Sequence, residues 1–321
     1  MLLQALIFFV GLGILYLGAE WLIKGAAGIA LRYGIRPMVV GVTVVALGTS
    51  MPEFVVNVFA AATGEDQLAL GNIVGSNICN IGLILGFSAL IVPLRVAPST
   101  LKREYTLMML VMGLFYVLAL DGTVGQVDGL LLLAGLVAFF SYLIVDTRRD
   151  ARRSALKEED TTDAAPVPTT GKMMRKVWLL GGGTLLLAVG AQMMVRAAVN
   201  VAETFGIDPI IVGLTVVAIG TSLPELAASV VSAAKRESDI SVGNVLGSNL
   251  LNVLFVIGLV AIIQPVPVDD TSLQIHFPVM MGFGALLLPL AWTKYHINRF
   301  EGACLLVVFI GYLYYLTVPY I

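Results

Sequence analysis

Long apolar stretches recur along this chain from its first residue to its last, and they limit its possible folds more than any other property. A helix of about 20 residues crosses a hydrocarbon core of about 30 Å, and in lipid only helices and closed barrels satisfy every backbone hydrogen bond. Composition agrees, since 58% of the residues are hydrophobic and 12% are charged, against roughly 45–50% and about 25% in soluble domains. The sequence therefore predicts an all-α membrane protein with ten transmembrane helices. The predicted spans are 2–23, 38–62, 68–92, 104–120, 126–146, 177–199, 210–234, 240–263, 274–292 and 301–319.

The basic residues segregate to one side of the predicted membrane. Cytoplasmic loops are enriched in Lys and Arg, so assigning each basic residue to its nearer face tests span number and orientation together. With ten spans, 18 of the 19 basic residues fall on one face, and Arg196 falls on the other. We therefore predict that both termini lie outside and that the connection 147–176 is a cytoplasmic linker. That connection is rich in charge, has too little apolar surface to fold alone, and is predicted to be flexible.

The sequence repeats itself at an offset of 172 residues. Two pairs of segments carry the repeat: GVTVVALGTSMPE at 41–53 with GLTVVAIGTSLPE at 213–225, and GNIVGSNICNIG at 71–82 with GNVLGSNLLNVL at 243–254. The halves 1–146 and 177–321 each hold five predicted spans. An odd number of spans makes the second copy enter the membrane from the opposite side. The predicted fold is thus two inverted five-helix repeats joined by the linker.

A carboxylate lies near the middle of the second span, and another lies at the matching position of the seventh. These are Glu53 and Glu225, which end the motifs GTSMPE and GTSLPE. An acid at the membrane midplane costs about 2.5–3.5 kcal/mol, so a matched pair implies a compensating cation, with an ion pair to Lys or Arg as the alternative. Pro52 and Pro224 lack the N–H that a helix interior needs. We therefore predict that helices 2 and 7 are broken at the proline before each glutamate and that the freed carbonyls become ligands.

Hydroxyl and amide side chains accompany the two glutamates. Hydroxyls stand three and four residues before each glutamate, near the same helical face, and polar residues recur at four-residue intervals in the third and eighth spans. These residues are Thr49, Ser50, Thr221, Ser222, Asn72, Ser76, Asn80, Asn244, Ser248 and Asn252. For the asparagines, the alternative is helix–helix hydrogen bonding. Every candidate ligand is an oxygen, which suits hard cations such as calcium, whereas softer metals favour His or Cys.

These paired elements resemble the two alpha repeats of the cation/calcium antiporter superfamily and are most similar to those of prokaryotic sodium/calcium exchangers. The resemblance covers essentially the whole chain. It implies sodium/calcium antiport by alternating access, in which sodium and calcium compete for the same carboxylates. The implied ligands are Glu53, Glu225 and the backbone carbonyls of Thr49 and Thr221 for calcium, Ala46, Ser50 and Ser76 with Ala218, Ser222 and Ser248 for sodium, and Asn80 and Asn252 between them.

This chain departs from part of the superfamily at Asn252, where some members carry Asp and thus a third central carboxylate. The two glutamates give the site two negative charges, which one calcium ion or two sodium ions neutralise. Three sodium ions would leave a positive excess. The exchange stoichiometry therefore stays open at this point.

Three other functions compete with sodium/calcium antiport. Calcium/proton exchange needs a site carboxylate that takes up a proton in the working pH range, a role open to Glu53 and Glu225. An intramembrane hydrolase needs a nucleophile with its base or an acid pair, and the sequence has no GxSxG motif. A channel is disfavoured because a charged, multi-ligand site at mid-membrane favours tight, alternating occupancy over fast conduction.

We therefore predict a transporter and not an enzyme, in the inner (plasma) membrane of a bacterium or archaeon. Its transported ions are calcium and sodium, and we expect it to need no cofactor. Its surroundings are the lipid bilayer, we expect no nucleic-acid partner, and a monomer is the simplest assembly.

Overall fold

The computed structural model describes residues 2–63, 66–158, 171–205, 218–292 and 294–317. Within these ranges the chain is helical, apart from short connections and four strands of two residues each. Among the described residues, seven helices are long and apolar enough to cross a membrane, or eight if the bent pair Pro37–Thr49 and Met51–Ala62 forms one span. The prediction of an all-α membrane protein is thereby confirmed.

We number the helices α1 to α12, and several of them contain a π-helical segment. They are α1 (Leu2–Tyr33), α2 (Pro37–Thr49, including the π-helical segment Gly41–Val45), α3 (Met51–Thr63), α4 (Asp66–Cys79, continued by the π-helical segment Asn80–Leu85 and by Gly86–Ile91), α5 (Pro98–Thr100, the π-helical segment Leu101–Tyr105 and Thr106–Ala119), α6 (Gln126–Glu158), α7 (Gly171–Thr204), α8 (Ala218–Thr221), α9 (Leu223–Ala234), α10 (Ser238–Leu251, continued by the π-helical segment Asn252–Ile257 and by Gly258–Ile263), α11 (the π-helical segment Ser272–His276 and Phe277–Trp292) and α12 (Arg299–Thr317). The strands form two antiparallel pairs, β1 (Leu94–Arg95) with β4 (His296–Ile297) and β2 (Thr123–Val124) with β3 (Val266–Pro267).

With the bent pair counted as one span, two predicted spans are not among the long apolar helices of the described residues. The span 104–120 corresponds to α5, whose first turns carry charged residues. The span 210–234 corresponds to α8 and α9, and its beginning, 210–217, lies outside the described residues. The predicted linker 147–176 is shortened from both sides, because α6 continues to Glu158 and α7 begins at Gly171.

Both helix breaks lie earlier than the sequence predicted. The prediction placed them at Pro52 and Pro224, whereas the helices are interrupted at Ser50 and Ser222. Ser50 has φ −82° and ψ 8°, and Ser222 has φ −87° and ψ 5°, in the sparsely populated bridge region. Each proline instead lies in the first turn of the following helix, where its missing N–H would have no partner in any case. The prediction was wrong by two residues because proline readily begins a helix.

The element boundaries repeat at the offset found in the sequence. Helix α3 begins 172 residues before α9, α4 begins 172 residues before α10, and β1 has the same relation to β3. The π-helical segments that continue α4 and α10 keep this offset too. The strand pairing follows the repeat as well. β1 pairs with β4, and β3, the equivalent of β1, pairs with β2. The described residues thus contain two structurally repeated halves that contact each other in a repeated way.

Burial separates the central helices from the peripheral ones. In the most apolar stretch of α4 and of α10, 78% of the residues are buried, against 22% for α1. Helix α1 packs against α7 along glycines: a Cβ atom at Gly18 would lie 2.6 Å from the backbone N of Leu187, and one at Gly190 would lie 2.6 Å from that of Leu15. Small residues let membrane helices approach this closely. The polar residues at four-residue intervals therefore lie at the centre, with α1 and α7 on the periphery. We call them the polar stripes of α4 (Asn72, Ser76 and Asn80) and of α10 (Asn244, Ser248 and Asn252).

Candidate cation-binding site

The two helix breaks and the middle of α4 and of α10 bring the predicted ligands together in the protein interior. The predicted ligands that are buried are Ala46, Thr49, Ser50, Glu53, Ser76, Asn80, Ser222, Glu225, Ser248 and Asn252. Thr221 is half-buried. Ala218 begins α8, and its side chain lies outside the part of the chain that the structure describes.

Each glutamate is held by a serine of the opposite half. Ser50 Oγ donates a hydrogen bond to Glu225 Oε1 over 2.9 Å. Ser222 Oγ donates to Glu53 Oε1 over a longer 3.5 Å. Both glutamate side chains are buried, with 1% of each residue exposed. The two contacts are equivalent under the repeat, so each half completes the carboxylate site of the other.

The second oxygen of each carboxylate is buried without a donor. Among the described residues, Glu53 Oε2 and Glu225 Oε2 have no hydrogen-bond partner, and neither glutamate forms an ion pair with Lys or Arg. Buried charges are normally paired or coordinate a metal ion, because desolvation is otherwise too costly. A cation between the carboxylates meets that requirement.

The serine hydroxyls connect the helix breaks to the polar stripes of α4 and α10. Ser50 Oγ lies 3.1 Å from Ser248 Oγ. Ser222 Oγ lies 3.4 Å from Ser76 Oγ, again the equivalent contact. The four predicted serine ligands thus form two cross-repeat pairs, one beside each carboxylate.

The threonines of the two breaks contact asparagines that the sequence placed on the polar stripes but not among the ligands. Thr49 Oγ1 lies 3.1 Å from Asn244 Oδ1 and 3.2 Å from the carbonyl oxygen of Ala46. Thr221 Oγ1 lies 3.3 Å from Asn72 Oδ1. Asn72 and Asn244 therefore accept hydrogen bonds from the threonines and are not added to the predicted ligands. These contacts are the helix–helix hydrogen bonding that the sequence offered as the alternative.

Sequence reasoning missed Asn57, which binds the backbone carbonyl of Glu53, and Ser229, which binds the asparagine on the carbonyl of Glu225. Asn57 Nδ2 donates to the carbonyl oxygen of Glu53 over 2.6 Å. Asn244 Nδ2 donates to the carbonyl oxygen of Glu225 over 3.2 Å and to Ser229 Oγ over 3.0 Å. The available signal was position, because Asn57 and Ser229 each lie four residues after a glutamate.

Asn77 and Asn249 were also missed. Asn80 Nδ2 donates to Asn249 Oδ1 over 3.2 Å. Asn252 Nδ2 donates to Asn77 Oδ1 over 3.1 Å. The amide oxygens of Asn80 and Asn252 are buried and have no donor among the described residues. The signal was the tripeptide GSN, whose Asn recurs at the repeat offset although it lies off the four-residue stripe.

The predicted ligands therefore contribute four buried acceptor oxygens that lack a donor among the described residues. They belong to Glu53, Glu225, Asn80 and Asn252. Carboxylate, amide and hydroxyl oxygens are the ligands of hard cations, and calcium takes about 6–8 of them at roughly 2.3–2.6 Å. The described residues contain no group of three or more His, Cys, Asp and Glu side chains that could hold a metal. The chemistry fits calcium or sodium rather than a softer transition metal.

Comparison with known proteins extends over both halves. The family model for the sodium/calcium exchanger protein matches residues 3–145 and 175–318. CaxA of Alkalimonas amylolytica is 40% identical over 319 residues, covering 98% of this chain and 99% of that protein. The sodium/calcium exchanger MaX1 of Methanosarcina acetivorans is 31% identical over 338 residues, covering 96% of this chain and 97% of that protein. A solved structure of the sodium-calcium exchanger NCX_Mj superposes with a TM-score of 0.82 at 28% identity, covering 98% of this chain and 99% of that one.

Proposed function

Because this chain belongs to the sodium/calcium exchanger protein family, we propose that it is a sodium/calcium antiporter whose ions bind at Glu53 and Glu225. The resemblance inferred from the paired motifs is confirmed, and the family and fold are those of transporters rather than enzymes. The observation that carries the proposal is the pair of buried carboxylates. Each has one oxygen held by a serine of the opposite half and one oxygen without a donor among the described residues.

The proposed ligand set divides by ion. Calcium binds to Glu53, Glu225 and the carbonyls of Thr49 and Thr221. Sodium uses the same carboxylates together with sites on either side of them. These flanking and middle ligands are Ala46, Ser50, Ser76, Ala218, Ser222, Ser248, Asn80 and Asn252. The proposal is supported by the cross-repeat serine pairs and by the orphaned amide oxygens of the two asparagines.

Shared ligands make transport an exchange. Since one pair of carboxylates serves both ions, binding of calcium and binding of sodium exclude each other, and the site opens to one face at a time. The burial of Glu53 and Glu225 fits the occluded state through which such a cycle passes. Two carboxylates balance one calcium or two sodium ions, and Asn252 supplies no third charge. Charge balance alone therefore favours fewer than three sodium ions per calcium.

The proposed topology has ten transmembrane helices in two inverted repeats within the inner membrane of a prokaryote. The halves are 1–146 and 177–321, both termini lie outside, and the linker is cytoplasmic. The strand pairs support this arrangement, because β1 and β4 follow the third and ninth spans, and β2 and β3 follow the fourth and eighth. An even number of crossings separates the members of each pair, so both members fall on the same face, as pairing requires.

Calcium uptake into sodium-loaded proteoliposomes tests this function. We expect the outward sodium gradient to drive uptake, and we expect Glu53→Gln and Glu225→Gln to lose it. Glu301→Gln is the matched control, because Glu301 accepts a hydrogen bond from Asn298 N at the start of α12, away from the site. Uptake that ignores the sodium gradient would contradict antiport with sodium, and full activity of both site variants would contradict the site.

Calcium/proton exchange is the second candidate function. It is favoured by the same two buried carboxylates, which lack a basic partner among the described residues and would have to carry the protons. Replacing the sodium gradient by a pH gradient at fixed sodium concentration separates the two candidates. Uptake driven by protons alone would favour this second function.

A further inference from the structure

Two buried chains of hydrogen bonds run from methionine through two asparagines to the ion site. In one chain, Asn77 Nδ2 contacts Met280 Sδ at 3.7 Å, and Asn77 Oδ1 accepts a hydrogen bond from Asn252 Nδ2 at 3.1 Å. Asn252 Oδ1 is then left without a donor among the described residues. Asn77 lies on α4, Asn252 on the continuation of α10 and Met280 on α11, and all three side chains are buried.

The other half repeats this chain residue for residue. Asn249 Nδ2 contacts Met108 Sδ at 3.4 Å, and Asn249 Oδ1 accepts a hydrogen bond from Asn80 Nδ2 at 3.2 Å. Asn80 Oδ1 is the oxygen that is left over. Each chain crosses between the halves, because Asn77 serves Asn252 and Asn249 serves Asn80.

The thioether at the outer end fixes the direction of each chain. A methionine sulfur accepts hydrogen bonds weakly and donates none, so the outer asparagine turns its NH₂ group toward it. The oxygen of the outer asparagine, Asn77 or Asn249, then faces the inner asparagine, Asn252 or Asn80. The inner asparagine must therefore donate a hydrogen bond from its own NH₂ group. The inner oxygen is the group that remains for the site. A buried donor without an acceptor costs free energy, so reversing one amide would force its neighbour to reverse as well.

We propose that Asn77 and Asn249 are positioning residues that hold the amide oxygens of Asn252 and Asn80 toward the transported cations. This inference rests on the proposed function. The reversed orientation would leave NH₂ groups in place of these oxygens, and an NH₂ group donates hydrogen bonds and offers no lone pair to a cation. The outer asparagines therefore act on ion affinity without touching the ion.

Calcium titration of the purified full-length protein in detergent tests the proposal, with calcium alone as the probe. Asn249→Leu keeps the branched shape and the number of heavy atoms of the side chain but removes the acceptor of Asn80, and we expect it to weaken calcium binding about tenfold. The apparent KM for calcium in proteoliposomes should rise in parallel, while kcat at saturating calcium stays close to that of the unmodified protein. Ser88→Ala is the control, because Ser88 is buried on the continuation of α4 and its hydroxyl has no partner among the described residues.

A double-mutant cycle identifies the route of the effect. In an Asn80→Ala background Asn249→Leu should have no further effect on calcium affinity, because the amide it positions is gone. In an Asn252→Ala background the same substitution should again weaken binding about tenfold, because Asn252 is positioned by Asn77. Asn77→Leu should show the opposite dependence on the two backgrounds.

An equal loss from Asn249→Leu in both backgrounds would overturn the proposal, since it would mean that Asn249 acts through packing. If the leucine variant does not fold, Asn249→Ala removes the same acceptor and enters the same cycle. Failure of the unmodified protein to bind calcium would overturn the proposed function itself. The two failures are therefore distinguishable.

Discussion

At the centre of the protein the bond from Ser50 to Glu225 has its counterpart in the bond from Ser222 to Glu53. Away from the centre, Arg36 and Arg103 both pair with Asp146, which ties the beginnings of α2 and α5 to α6. The equivalent positions in the second half carry Asp208, Ile275 and Val318, which cannot form such a cluster. The halves are thus alike around the ion site and different at their ends.

This contrast follows from what each region contacts. On the proposed function both halves meet the same ion at the centre, so both would have to supply carboxylate, hydroxyl and amide oxygens there. Under the proposed inverted topology their ends would face opposite sides of the membrane, and basic residues are expected to concentrate on the cytoplasmic side. The repeat is preserved where the ligand imposes it and has diverged where the surroundings differ.

Substitution of the two carboxylates should cause the largest loss of calcium affinity, and the loss should be equal for Glu53 and Glu225. Glu53→Gln and Glu225→Gln each remove one of the two negative charges of the proposed site, and removing one partner of a buried charge pair costs about 3–5 kcal/mol, hence roughly a hundredfold or more in calcium affinity. Titration with calcium in detergent measures both variants, with Glu301→Gln as the control. A loss confined to one of the two glutamates would break the equivalence of the halves.

The glycines between α1 and α7 should show the next largest effect, on stability rather than on binding. Gly18→Ala and Gly190→Ala each place a Cβ atom 2.6 Å from a backbone nitrogen of the opposite helix, and such overpacking costs about 1–3 kcal/mol. Gly13→Ala and Gly181→Ala are matched controls on the same helices, because a Cβ atom there meets nothing within 4 Å. Thermal unfolding in detergent should rank both test variants below both controls.

Much of the fold was readable from the sequence because lipid restricts the possibilities so strongly. The apolar stretches, the repeat offset and the two glutamates required only residue identity and spacing. The position of the helix breaks was misjudged because Pro52 and Pro224 read equally well as the end of one helix or the beginning of the next. The structure decides this, with the breaks at Ser50 and Ser222.

The amide chains could not be predicted in the same way. Asn77 lies three residues before Asn80, off the polar stripe, and a π-helical segment begins at Asn80 and changes the helical periodicity there. Their partners lie in the opposite half, as do the thioether sulfurs that orient them. Sequence spacing within one helix carries no information on a contact between halves or on which way an amide turns.

Removal of the two equivalent serine contacts should lower calcium affinity by modestly different amounts. Ser50→Ala removes a hydrogen bond of 2.9 Å to Glu225, and we expect apparent calcium affinity to fall about tenfold, the scale of one bond to a charged group. Ser222→Ala removes a bond of 3.5 Å to Glu53, near the limit for hydrogen bonding, and should cost about half as much free energy. Ser88→Ala again serves as the control. A larger loss from Ser222→Ala than from Ser50→Ala would reverse this ranking.

The cluster at Asp146 should show the smallest effect, and one without an equivalent in the second half. Arg103 Nη1 lies 2.7 Å from Asp146 Oδ2, and the pair is accessible on its arginine side, where the Arg103 side chain is 33% exposed. Asp146→Asn should therefore lower the free energy of unfolding by about 1 kcal/mol or less, and the difference should shrink as salt is added. Thermal unfolding at low and high ionic strength measures this against Asp270→Asn, an exposed aspartate in the helical turn that follows β3. Calcium exchange should be unchanged, because the cluster supplies none of the proposed ligands. Loss of exchange at unchanged stability would show instead that the ends of the helices take part in transport, and the division between a repeated centre and divergent ends would no longer hold.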